Sequence, residues 1–425
     1  MDRAALDRVF PRYTDFDPQA PVWRVTPSRP GCIHRFFDTC PISPSGRSLA
    51  VFQLPFEDRQ PEPGEAGQVV VVDLETGADR VVAETCGWEP QMGANVNWGG
   101  ADEALYCNDV DTATWTPFAW KLNPADGQRT RMEGTVYHAS PDGRWLVSAN
   151  MGAMRRTQPG YGVRVPDEHM RRNLGLSDDD GFTLTDTATG RAHRLASLRD
   201  LVERADPPVR IDPDARFELY GFHSKFNPQG DRLMLSLRWF PAADEPRWNL
   251  FAIDHSAVRF AWVTTDLEAR RVHCAVGPEE WEKGGHHATW FPDGERISMN
   301  LNINRDGLRF VQVRADGSGY GTILDQTPGS GHPTIHPDGR HLLTDTYTRE
   351  ATAFGDGTVP LRWVDLADGS EETLVRFPTA QPCPDGVLRV DPHPAWCRDH
   401  RFVVFNAFLD GARTVLLADL AEKIG

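Results

Sequence analysis

Four of the 14 histidines in this chain occupy one place in a recurring phrase. His223, His287 and His332 each lie seven residues ahead of the glycine of a Pro-x-Gly turn. His393 lies seven ahead of His400, which stands where that glycine would be. Neutral imidazole binds zinc and other first-row divalent ions, and it is the side chain best suited to exchange a proton near neutral pH. Imidazoles meeting at one point could therefore hold a metal or act as a base. Asp391 could add a carboxylate ligand, and His34, His286 and His336 lie close to the same phrases. Arg35, ahead of the first copy, could clamp a carboxylate through its two-pronged guanidinium, or instead pair with Asp38. The segment MGAMRRTQPGYGVRVP holds Arg155, Arg156 and Tyr161, with a Pro-Gly turn that could project the tyrosine.

These residues need a scaffold that repeats. The turn phrase appears as SPSG before RSLAVFQ, SPDG before RWLVSAN, NPQG before DRLMLSL, FPDG before ERISMNL and HPDG before RHLLTDT. Degenerate copies are Trp98-Gly-Gly-Ala101-Asp102 and Cys397-Arg-Asp-His400. Proline presets φ, and Asp-Gly supplies the residue with positive φ, so each phrase joins two strands. A second phrase, as in VVVVDLETG or LRWVDLADG, supplies a third strand and the turn to a fourth. Four strands in seven copies predict an all-β, seven-bladed propeller over residues 1–425, one domain with an insertion in blade three at about 151–181. The last copy lacks a fourth strand, and residues 22–26 are expected to close the ring in its place. Short helices are expected only at 4–10 and 196–205. Antiparallel order puts the turn phrases on one face. The histidines and the long loops 54–67, 108–117, 151–181, 238–258 and 345–360 then share the other, where the inner strands converge.

Composition excludes several classes. With 45 Lys+Arg against 61 Asp+Glu, the net charge of −16 argues against nucleic acid as the main partner. No segment approaches the apolar length of a membrane span, and the charged N-terminus has no apolar signal core, so a cytoplasmic location is expected. Seven scattered cysteines without a CxxC pair predict free thiols. Lysine is confined to Lys121, Lys225, Lys283 and Lys423, which leaves arginine as the available carboxylate-binding side chain.

The runs Gly-Gly-His286-His287-Ala-Thr-Trp290, Ser330-Gly331-His332 and Val390-Asp391-Pro392-His393-Pro394 resemble blades five to seven of the propeller oligogalacturonate lyases, and more loosely the propeller ulvan lyases. The resemblance implies a catalytic role for His287, with Trp290 following it. It implies metal ligation by His332 and by His393, the last member of a Gln-x-x-His-Pro-His run. Here the first histidine of that run is Asp391 and its glutamine is Leu388. Mn²⁺ is the metal by family analogy, with zinc or calcium as alternatives. The implied reaction is β-elimination on uronic-acid oligosaccharides, which removes the C5 proton and expels the C4 oxygen. On this reading His223, His332, His393 and Asp391 hold the ion. His287, Tyr161 and Arg35 are catalytic, and Arg155, Arg156, His34 and Trp290 bind substrate. The expected location points to imported oligomers as the acidic partner. The turn phrases equally resemble TolB-type repeats, so a non-catalytic binding propeller is the alternative.

Overall fold

The computed structural model describes residues 1–212, 214–243, 257–380 and 386–424. It contains seven four-stranded sheets, each built from strands adjacent in the chain and paired antiparallel, apart from the last. The turn chemistry is as the sequence demands. In blade three Gly143 has φ +71° and its N–H donates to Ser140 O at 2.8 Å. In blade seven His400 takes that conformation with φ +53° and donates to Cys397 O at 2.9 Å.

The final sheet holds Ala395–Trp396, Phe402–Leu409 and Ala412–Asp419, and its fourth strand is Val22–Arg24. Val22, Trp23 and Arg24 stand opposite Ala418, Leu417 and Leu416. The first and last blades are thus tied together by backbone hydrogen bonds, and Arg3 adds an ion pair to Asp419 at 3.0 Å.

Apolar clusters fill the junctions between successive blades. Ile33, Trp88 and Leu105 join blades one and two; Tyr106, Val136 and Leu146 join two and three; Phe182, Leu184 and Leu235 join three and four. Met234, Trp281 and Ile297 join four and five, and Phe310, Ile335 and Leu342 join five and six. Val359, Phe377 and Phe405 join six and seven, and Trp23, Val51 and Phe402 close the circle. A further cluster, with Phe36, Phe37, Met154, Tyr161 and Phe222, brings the blade-three loop against the axis.

The expected helices occur as Arg3–Val9 and Leu198–Glu203, the latter started by a Ser197–Asp200 capping box; Pro278–Trp281 and Ala421–Ile424 are additional short turns. Among the described residues no helix is long and apolar enough to cross a membrane, and the six described cysteines are free. Cys383 and His255 lie outside the described residues.

Trp23 is fully buried in the closing strand and donates to Asp7 Oδ1 at 3.0 Å. Trp23→Ala should lower unfolding free energy by about 3–5 kcal/mol, measured by denaturant titration.

Candidate active site and metal centre

The inner strands are where regular pairing breaks down. In blades four and five the register shifts between Gly221 and Ser224 and between His286 and Thr289, so His223 and His287 lie in bulges that re-aim their rings. In blades six and seven the regular strands begin only at Thr334 and Ala395, just after His332 and His393. His287 and His393 have φ of +60° and +49°, a left-handed backbone that a β-carbon disfavours.

The four histidines do not share one point. Phe36, which follows the inner strand Cys32–Ile33, stands between them, its ring centroid 5.4 Å from that of His223, 5.9 Å from that of His332 and 4.6 Å from that of His393. This wedge is anchored by a buried charge cluster. Lys225 Nζ lies 2.7 Å from Asp38 Oδ2 and within 4.9 Å of the Phe36 and Phe37 centroids, and Arg35 Nη1 lies 2.9 Å from Asp38 Oδ1. Burial alone would raise the Asp38 pKa, but Lys225 and Arg35 hold it well below the usual carboxylate range. Two expectations are corrected here. His223 is separated from the other three histidines by Phe36 and packs against Phe222, Tyr137 and Tyr161. Arg35 is not a clamp at the rim; it is buried, with Nε donating to Asn95 and Nη1 held by Asp38 and Thr39.

The ligand-competent group is His332, Asp391 and His393. All three are buried, and one ligand atom from each lies within 4.8 Å of the others. The His332 ring donates through Nδ1 to Asp345, 2.9 and 3.0 Å from the two carboxylate oxygens, while the same carboxylate accepts the His332 backbone N–H at 2.7 Å. That contact fixes the tautomer and turns the Nε2 lone pair inward, where it has no hydrogen-bond partner. Both ring nitrogens of His393 also lack partners. Gly331 is required beside them, because a β-carbon there would lie 2.2 Å from Asp345 O. Burial, with the neighbouring His332, keeps His393 well below its ordinary pKa and therefore neutral, the form that ligates. Buried imidazole nitrogens without partners, a carboxylate that orients one of the rings and an adjacent aspartate fit a divalent ion.

Beside this group lies a hydrogen-bonded histidine–tyrosine pair. The His287 ring stacks on His332 with centroids 3.8 Å apart. Its Nδ1 lies 2.8 Å from Gly331 O and must carry the proton, which leaves Nε2 to accept from the Tyr347 hydroxyl at 3.2 Å. Burial first, and then His332 and His286, hold His287 well below its usual pKa, while burial raises Tyr347 well above its own. Both are thus neutral near pH 7. Arg389 completes the cluster. Its guanidinium contacts Asp391, and Nη2 donates to the Tyr161 hydroxyl at 3.4 Å. Arg389, Tyr347, His286 and Glu350 are part-exposed and form the mouth.

The remaining candidates hold structure. Arg155 binds Val165 O and Asp167, and Arg156 pairs with Glu218 at 2.6 Å; both anchor the blade-three loop and neither reaches the mouth. Tyr161 is buried, its hydroxyl near Arg389 and its pKa pushed up to about 12 by burial. Trp290 donates to Lys225 O at 3.3 Å and packs in the blade four–five core. His34 lies 6.5 Å from His393 between ring centroids, with neither ring nitrogen partnered and its pKa pushed down to about 3 by burial; it flanks the ion group rather than the mouth. Tyr347, Asp345 and Arg389 were not anticipated. The first two begin the long blade-six loop, and Arg389 stands two residues ahead of Asp391; position was the only signal for each.

No protein-family model matches the chain. A stretch of 92 residues is 35% identical to the glutamine-hydrolysing GMP synthase of Nitrobacter hamburgensis, but it covers 20% of this chain and spans only 16% of that enzyme. The full-length similarity is to solved structures. An oligogalacturonate lyase from Vibrio parahaemolyticus superposes with a TM-score of 0.63 at 16% identity, covering 98% of both chains. An oligogalacturonate lyase in complex with manganese gives a TM-score of 0.62 at 16% identity, covering 98% of this chain and 97% of the other. The chain therefore shares the propeller fold of these lyases throughout its length.

Calorimetry with Mn²⁺ on the metal-stripped protein should show one ion per chain, lost in His332→Ala and His393→Ala. Asp345→Ala, which removes the acceptor that orients the His332 ring, should weaken it by about 10–100-fold.

Proposed function

We propose that the protein is a lyase that cleaves uronic-acid-containing oligosaccharides by β-elimination with a divalent ion bound at His332, Asp391 and His393. The observation that carries this reading is the neutral His287–Tyr347 pair, which opens to the same mouth as Arg389 and stacks directly on the ion group.

Elimination requires a base at C5, a proton for the oxygen leaving C4, and neutralisation of the uronate carboxylate as charge moves onto it. His287 Nε2 carries no proton and would accept the one on C5. Tyr347 keeps its phenolic proton and would deliver it to the leaving oxygen. As the C5–H bond breaks, its electron pair forms the C4–C5 double bond and the C4–O bond breaks. A divalent ion would supply Lewis-acid polarisation of the carboxylate. Arg389, the cation at the mouth, would hold the same carboxylate in a forked contact and supply local positive charge on an acidic protein. Phe36 and Phe37 exclude water from the inner side of the imidazoles, which favours the unprotonated form of His287 that can accept a proton.

Incubation with uronate oligomers and Mn²⁺ should generate the ultraviolet absorbance of an unsaturated product; no absorbance on any such oligomer, in an ion-loaded protein, would remove the proposal. Tyr347→Phe should lower kcat by about 10²–10⁴-fold with little change in KM. An unperturbed imidazole loses its base form below about pH 6.5. Because the folded pKa of His287 is depressed, the base form persists to lower pH, so kcat should stay level through that range and fall only beneath it.

A further inference from the structure

Asp391 is already engaged before any ion arrives. Arg389 Nε donates to Oδ1 at 3.0 Å, and Nη2 lies 2.8 Å from Oδ2 at an angle that makes an ion pair without a hydrogen bond. Oδ2 is also the oxygen that faces the ion group, 3.8 Å from His393 Nε2. The two partners differ in freedom. The Asp391 side chain is 1% exposed, whereas that of Arg389 is 33% exposed, on the solvent side of the carboxylate. Among the described residues, its guanidinium also donates to Gly386 O at 3.2 Å and Tyr161 Oη at 3.4 Å. Its backbone is fixed independently, since its carbonyl accepts from Gln91 and Arg413. The guanidinium can therefore swing outward while the aspartate stays.

We propose that Arg389 is a latch on Asp391: it competes with the divalent ion for that carboxylate, and an anionic ligand that draws Arg389 toward the mouth raises the affinity for the ion. A carboxylate attracts a divalent ion most strongly when no other cation balances it. With the guanidinium in place, 2.8 Å from Asp391 Oδ2, that charge is already balanced and a like charge stands beside the incoming ion. A carboxylate arriving at the mouth gives Arg389 an alternative partner and returns Asp391 to the ion. Linkage makes the effect mutual, so the ion must tighten the anion by the factor by which the anion tightens the ion. The competition between Arg389 and the ion stands on geometry alone; the identification of the anion as a uronate rests on the proposed function.

The test is calorimetric titration of Mn²⁺ into the metal-stripped full-length protein, with and without saturating glucuronate or galacturonate. Arg389→Gln should bind Mn²⁺ about tenfold tighter than wild type, a gain absent when Asp391→Asn is also present. The uronate should tighten Mn²⁺ by a similar factor in wild type and by clearly less in Arg389→Gln, where only direct contact between ion and carboxylate remains; an equal effect in both would remove the release step. Equal or weaker Mn²⁺ binding by Arg389→Gln would overturn the latch, even if the protein forms unsaturated product. Tighter binding in the variant with no uronate effect on wild type would leave the competition for the ion standing, and would remove both the anion release and the assignment of this mouth to uronates. If Arg389→Gln melts early, Arg389→Lys serves instead: it keeps the charge, loses the forked contact, and should fall between the two affinities, while identity with wild type would overturn the proposal.

Discussion

Ring closure is the constraint on which everything else depends. Each sheet presents two apolar faces, and neither can be exposed, so every blade needs a neighbour on both sides. An open arc would leave the faces of blades one and seven bare. The strand Val22–Arg24 prevents this by pairing with Ala412–Asp419 before the chain continues into blade one at Cys32–Ile33. Once the circle is shut, the inner strands must meet at an axis too crowded for regular pairing. The inner strands of blades one, two, three, six and seven are only two residues long, and the backbone around them is bulged or left-handed. The site is made of those irregular residues.

Burial then sets the chemistry. Imidazole in water is partly protonated near its ordinary pKa, and the protonated fraction can neither ligate nor accept a proton. At this axis His393 is fully buried and His287 largely so, each next to other imidazoles, and both are held neutral. The wedge formed by Phe36 and Phe37 contributes much of that dryness, and the wedge in turn is placed by Asp38, Arg35 and Lys225. Removing one partner of such a triad would leave a buried charge without compensation, a cost of about 3–5 kcal/mol. The arginine expected to touch a ligand instead keeps the imidazoles in working order.

The ion group differs from the oligogalacturonate lyase pattern in a physically specific way. Two neutral donors, a glutamine and a histidine, are replaced by Leu388, which cannot ligate, and Asp391, which brings a negative charge. That charge is balanced by Arg389 at 2.8 Å. The centre thus has two fewer neutral donors, one fewer donor in all, and one carboxylate that Arg389 already engages. At 16% identity to solved structures of the same fold, such changes decide function more than the fold does.

The repeat, the closure and the histidine set are legible in the order of the amino acids. Turn signals act over a few residues, so Ser140-Pro-Asp-Gly143 reads as a turn wherever it stands, and repeated copies define blades. The phrase also indexes the position of each histidine within its blade. Which histidines meet was decided only by tertiary structure, because Phe36 from blade one stands between His223 from blade four and His393 from blade seven. The roles of Arg35, Arg155 and Arg156 were likewise settled by partners brought near in folding. Asp38 could be guessed from proximity in the chain; Glu218, Arg156's partner, could not. Tyr347 meets His287 only because blades five and six lie side by side, and Arg389 meets Tyr161 only because the blade-three loop crosses the axis to blade seven. Local patterns act through backbone preferences and are legible in one dimension. A site assembled from several blades depends on distances that no spacing in the sequence encodes.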